Sequence, residues 1–288
     1  MLSAAVLLAV AAPAAEPVRL PDGSALAAVD FERHVVSLFG RAGCNTGACH
    51  GSFQGRGGMR LSLFGYEPDR DFRALTRDAD GRRVNPFDPD HSLMLLKATG
   101  QVPHGGGRRI APDSWQYAVL RAWLAGGCEH TPGSGAVTRL EVEPREMNLT
   151  PPTPLPEAGR GENSQEDSGE RRSGPVSSSP PSRFGKGAGR LGPSEADLRV
   201  RAVFADGSAA DVAAFCEFRT KDESVAEVSD HGRVRAVRPG DTAVVVAYRG
   251  SVQSMRVYVP AADSSANRRR EPPGGLPSRR AVGPARGG

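Results

Sequence analysis

Cys44-Asn45-Thr46-Gly47-Ala48-Cys49-His50-Gly51 sets two thiols four residues apart, with an imidazole directly after the second. Two thiols that add to two vinyl groups, followed at once by an imidazole that reaches the iron from one face, are what covalent c-type haem attachment needs. His50 stands where the proximal iron ligand belongs. The usual spacing has two residues between the cysteines, so four require the loop to bulge, and Gly47 can relieve it. The same spacing permits a Cys44–Cys49 disulfide in an oxidising compartment, which would leave His50 exposed. A zinc site fits less well, because Cys44, Cys49 and His50 have no fourth ligand at short spacing.

Upstream of the motif, Phe31, Val35, Leu38 and Phe39 recur at helical spacing over residues 30–42, and Gly43 can end that helix. Downstream come a Gly-rich loop (51–58), a short segment (59–66), a short helix (69–77), a turn around Pro86, Asp88 and Pro89, an apolar helix (92–98) and a loop (102–109). Asp113 is the expected N-cap of a last helix over 115–125, where Val119, Leu120, Trp123 and Leu124 share a face and Gly126 and Gly127 follow. These elements predict a small all-helical domain over 30–128.

From Thr138 the period changes to two: Leu140 and Val142, then Leu198, Val200, Ala202 and Phe204, alternate with polar neighbours. Ala205-Asp206-Gly207-Ser208 is a hairpin signal, and further strands are expected over 213–218, 225–228, 233–237, 242–248 and 253–259. Short strands at such spacing predict an antiparallel sandwich over 138–260. Residues 151–196 are dominated by Pro, Gly, Ser and charge and read as a disordered insertion. The predicted fold class is therefore multidomain α plus β, a small all-α domain followed by an all-β sandwich.

The 288 residues include 35 Gly and 24 Pro, with 38% hydrophobic, which favours two small domains with linkers over one large one. The net charge of +4 is matched by residues 261–288, where six Arg face only Asp263 and Glu271. The body is nearly neutral, so the basic end reads as a disordered tail and not as a nucleic-acid surface. Residues 1–15 are small and apolar, with an A-x-A-like cleavage site near Ala12-Pro13-Ala14, and read as a secretory signal. No segment is long and apolar enough to span a bilayer. A periplasmic or secreted protein is expected.

Residues 44–50, Leu61-Ser62-Leu63-Phe64-Gly65-Tyr66, Gly81-Arg82-Arg83-Val84-Asn85, Ser92-Leu93-Met94-Leu95-Leu96-Lys97 and Val102-Pro103-His104-Gly105-Gly106-Gly107 together resemble the cytochrome c-like domain at the head of large planctomycete-type secreted proteins. In that family a bacterial Ig-like domain of group 2 (BIG2) follows, and Phe204-Ala205-Asp206-Gly207-Ser208, Val225-Ala226-Glu227-Val228 and Gly232-Arg233-Val234 are similar to it. This chain departs from the family by its insertion and by stopping after the Ig-like module. The resemblance implies haem c, held by Cys44 and Cys49 with His50 proximal. It sets His104 where related domains place a ligating Met, with Met59 and Met94 as alternative ligands. Arg82, Arg83, Arg108 and Arg109 are candidate partners for the haem propionates.

The expected function is extracytoplasmic electron transfer by a covalently bound haem, with an unidentified redox partner. The alternative is a haem-free, disulfide-tied adhesion or carbohydrate-associated module, in which the Ig-like domain attaches to a cell surface or carbohydrate. No nucleophile with a placed base and no recognisable carboxylate pair points to an enzyme. His34, His91, His130 and His231 read as packed or turn histidines, Cys128 and Cys216 as separate thiols, and Trp115 and Trp123 as core residues that could also pack against a porphyrin edge.

Overall fold

The computed structural model describes residues 16–151 and 193–261. The expected signal segment, nearly all of the expected insertion and the basic tail lie outside the described residues.

The expectation of an all-helical domain followed by an all-β sandwich is not met. Of the described residues 24% are helical and 28% lie in strands, and the first half is not an all-α unit. It opens with a two-stranded hairpin, β1 (Val18–Arg19) and β2 (Ala25–Leu26). Its α-helices are short: α1 (Val36–Arg41), α2 (Pro68–Thr76), α3 (Leu93–Ala98) and α4 (Trp115–Ala125). Long loops and single turns separate them, since Gly, Pro and Asp recur too often for the helical period to persist.

The helix expected over 30–42 is a π-helical turn, Phe31–Val35, running into α1. Asp30 starts it by accepting a hydrogen bond from Arg33 N at 2.7 Å, and Gly43, at φ 71°, ends it. The last helix is capped by Ser114 and not by Asp113: the Ser114 hydroxyl accepts from Tyr117 N at 3.3 Å. One apolar face, Val119, Leu120, Trp123 and Leu124, is buried against Phe31 and its neighbours.

In the second half the period-two segments do form strands: β3 (Val137–Glu143), β4 (Glu146–Asn148), β5 (Glu195–Asp197), β6 (Arg199–Phe204), β7 (Ala209–Asp211), β8 (Glu217–Thr220), β9 (Ala226–Val228), β10 (Arg233–Ala236), β11 (Gly240–Tyr248) and β12 (Ser251–Val259). They make three sheets, not two: β3-β6-β7, β5-β10-β9 and β4-β12-β11-β8, the β4–β12 pair being parallel. The strand expected to begin at Ala213 starts only at Glu217, because Ala213–Phe215 is a single helical turn. Residues 195–196, expected in the insertion, belong to β5.

The two halves do not have separate cores. Phe31, Leu38, Trp123, Phe204, Phe215 and Val246 belong to one continuous set of buried apolar side chains. Each fully buried Leu or Phe in such a set stabilises the fold by about 1.5–3 kcal/mol. Polar contacts reinforce the join. Arg33 lies over the Phe204 ring at 3.9 Å and pairs with Asp206 at 2.7 Å, and its carbonyl accepts from Tyr248 Oη at 2.9 Å. Arg41 donates to Cys216 O at 2.8 Å. His34 packs on Phe215 with ring centres 4.9 Å apart; burial pushes its pKa down to about 4, so it is neutral at pH 7.

Candidate functional site

The 44–51 segment folds back on itself. Cys44 N donates to Phe39 O at 2.8 Å, His50 N to Cys44 O at 2.9 Å, and Cys49 N and Gly51 N both to Thr46 O at 3.0 Å. The four intervening residues are thus taken up in a closed loop that turns Cys44, Cys49 and His50 toward the same space. Gly51 makes the closure possible, since a Cβ there would lie 2.0 Å from Asn45 O. Gly51→Ala is expected to open the loop and lower thermal stability by several degrees, at about 1–3 kcal/mol, whereas Gly47→Ala, where a Cβ meets nothing within 4 Å, should leave the melting temperature nearly unchanged.

Cys44, Cys49, His50, Met59, Met94 and His104 all line one cavity of about 610 Å³. Its remaining wall is largely apolar, with Phe39, Leu61, Leu75, Leu93, Ile110 and Leu120 among the contributors, and the volume falls in the range of small-molecule and cofactor sites. The four cysteines are free, so the expected alternative of a disulfide between Cys44 and Cys49 is not what this structure holds. Burial pushes the Cys44 thiol up to about 11, an effect that Arg109 partly offsets. Arg109 also donates to Cys49 Sγ at 3.7 Å.

The rings of His50 and His104, both on the cavity wall, lie nearly parallel at 10°, with centres 6.2 Å apart. Nδ1 of His50 lies 3.2 Å from Met59 O and Nδ1 of His104 lies 2.8 Å from Gly107 O. A carbonyl only accepts, so Nδ1 is the donor in each of these bonds. Burial lowers the His50 pKa and keeps that ring neutral. A backbone carbonyl fixing the tautomer of an imidazole is the usual support of a metal-ligating histidine. Two metal–imidazole bonds of about 2.0 Å, plus two ring radii of about 1.1 Å each for bonds of about 1.33 Å, span about 6.3 Å. The observed 6.2 Å between ring centres is close to that length.

The arginines divide. Arg83 is buried and donates to Ala74 O, Asp78 O and Gly58 O at 2.6, 3.1 and 2.8 Å, so it holds the loops together and is not free for an anion. Arg82 is exposed and lines the cavity, as does Arg56 in the Gly-rich loop. Arg108 does not line it. Neither tryptophan reaches the cavity: Trp115 packs edge-on against Phe215, and Trp123 against Phe31 while donating to Glu129 O.

Sequence reasoning passed over a second polar group. The ligand atoms of Glu32, Asp69 and His130 lie within 4.8 Å of one another. Glu32 is fully buried; its Oε1 accepts from Gly133 N at 2.7 Å and lies 3.1 Å from His130 Nε2, while its Oε2 accepts from Gly135 N at 3.1 Å and Arg249 Nη2 at 3.3 Å. Arg249 already supplies the positive charge there, so the arrangement is a structural knot rather than a metal cradle. Asn45 is also buried, and its amide makes no hydrogen bond among the described residues.

No protein-family model matches the chain, and no curated protein matches it. Among the described residues, no helix is long and apolar enough to cross a membrane.

Proposed function

We propose that the cavity holds a haem attached covalently through Cys44 and Cys49, with His50 and His104 as its axial ligands, and that the protein is an exported electron carrier. One observation carries the reading: two free thiols and two imidazoles with ring centres 6.2 Å apart, each with Nδ1 tied to a backbone carbonyl, line a single largely apolar cavity. Cys44 and Cys49 would hold the haem by adding each thiol S–H across one vinyl C=C, with no net oxidation or reduction. The apolar part of the lining, with Phe39, Leu61, Leu75, Ile110 and Leu120, would pack against the macrocycle. Arg56 and Arg82, exposed on the cavity lining, are suited to pair with the propionates. Two imidazoles also give a lower potential than a His/Met pair, since Met ligation raises it.

The test is an absorbance spectrum of the full chain matured with a haem-attachment system. The expected result is a Soret band that survives acid-acetone extraction, a low-spin ferric spectrum, and none of the long-wavelength absorption that Met sulfur gives. Haem that is fully extracted, or is never taken up, would overturn the proposal.

A further inference from the structure

The two imidazoles are held in different ways. His50 is fixed from both sides: its N–H donates to Cys44 O, its carbonyl accepts from Leu61 N at 2.8 Å, and Cys49 precedes it in the closed loop. His104 belongs to a turn that closes only on itself. Its Nδ1 bonds Gly107 O at 2.8 Å, and Gly107 N donates back to His104 O at 2.9 Å. The turn is anchored at its two ends, where Lys97 Nζ donates to Pro103 O at 2.7 Å and Arg109 N to Ala98 O at 2.8 Å.

Between those anchors no side chain is buried, the three residues after His104 are glycines, and the His104 ring is half-exposed. Swinging the turn outward therefore removes no apolar group from the core and breaks no hydrogen bond to another element. The inner bond pair between His104 and Gly107 travels with it. Moving His50 would instead dismantle the 44–51 loop. Loops with few buried contacts open at the lowest free energy in a fold.

Resting on the haem reading above, we infer that His104 is an exchangeable ligand and that the reduced protein binds a small neutral diatomic molecule on the His104 face, with His50 retained. In that exchange the iron–Nε2 bond of His104 breaks, a bond from the iron to the incoming atom forms, and the freed lone pair is taken up by water. No electron changes hands. Glycines 105 and 106 line that part of the cavity with no side chain of their own, and a Cβ at Gly105 would meet nothing within 4 Å. Because the turn must open first, the apparent affinity is reduced by the fraction of time it is open.

The experiment uses the haem-loaded full chain, first checked for covalent haem by acid-acetone extraction, then reduced with dithionite and mixed with carbon monoxide. The wild-type spectrum should convert fully, with a rate that levels off at high carbon monoxide because release of His104 limits it. In His104→Ala the rate should rise linearly with carbon monoxide and be at least about tenfold faster, the factor a tenth-populated open state imposes. A six-coordinate wild-type protein whose spectrum ignores carbon monoxide would overturn the inference while leaving the haem reading standing. So would equal rates in wild type and variant. Absence of covalent haem at the first step would overturn both.

Discussion

Replacing both cysteines, Cys44→Ala with Cys49→Ala, is expected to reduce covalent haem from near one per chain to none while the polypeptide stays folded. Each substitution removes one sulfur atom from the cavity wall, and losses of this kind are about 1 kcal/mol each. The backbone bonds that close the loop, from His50 N to Cys44 O and from Gly51 N to Thr46 O, do not depend on the sulfurs. Tolerance therefore rests on the small volume change and not on separation of two domains, because the buried apolar set runs through both halves. The check is acid-acetone extraction alongside far-ultraviolet circular dichroism and thermal melting. Covalent haem retained in the double variant would remove the thioether assignment. A collapse of the whole fold would mean that the thiols are structural and the cavity secondary.

The parts legible in the sequence are those that a local period or a local turn dictates. Leu198, Val200, Ala202 and Phe204 face the core because a strand with one buried face repeats every two residues. Gly207, at φ 80°, and the bond from Ser208 N to Asp206 Oδ1 at 2.9 Å give the hairpin that the sequence signals. Cys44, Cys49 and His50 were visible because the chemistry depends on close spacing. His104, more than fifty residues downstream, was assigned only through the resemblance of its loop; the closeness of the two rings is a tertiary fact.

Other features were not legible for physical reasons. Ser114 caps the last helix in place of Asp113 because the two differ by one residue, and only the backbone path decides which oxygen reaches the first turn. Arg83 reads in the sequence as a candidate propionate partner, and only the tertiary fold shows three backbone carbonyls taking its guanidinium instead. The union of the two halves was hidden most completely. It depends on Arg33, Tyr248 and Arg249, whose partners lie 173, 215 and 217 residues away, and no periodicity carries that information.

The strongest stability effect is expected at that union. Arg249 caps the β11–β12 turn at φ 50° with its side chain only 7% exposed, and its charge is met by Glu32 Oε2 at 3.3 Å and by Gly65 O at 3.4 Å. Glu32 in turn receives the backbone N–H groups of Gly133 and Gly135 and the imidazole of His130. Glu32→Gln keeps the shape but removes the charge, leaving Arg249 buried without an anionic partner. Breaking one side of a buried pair costs about 3–5 kcal/mol, which for a fold of this size lowers the melting temperature by roughly 10 °C. Arg249→Met strands the Glu32 carboxylate and should cost a comparable amount. The double variant Glu32→Gln with Arg249→Met removes both members of the pair and should lose clearly less than the two single losses combined, since buried ion pairs replaced by neutral groups of similar volume are often near neutral. Single and double variants measured by urea titration complete the cycle. Strict additivity would mean that Glu32 and Arg249 act separately, and the joining of the two halves would then rest on the apolar core around Phe204 and Phe215 alone.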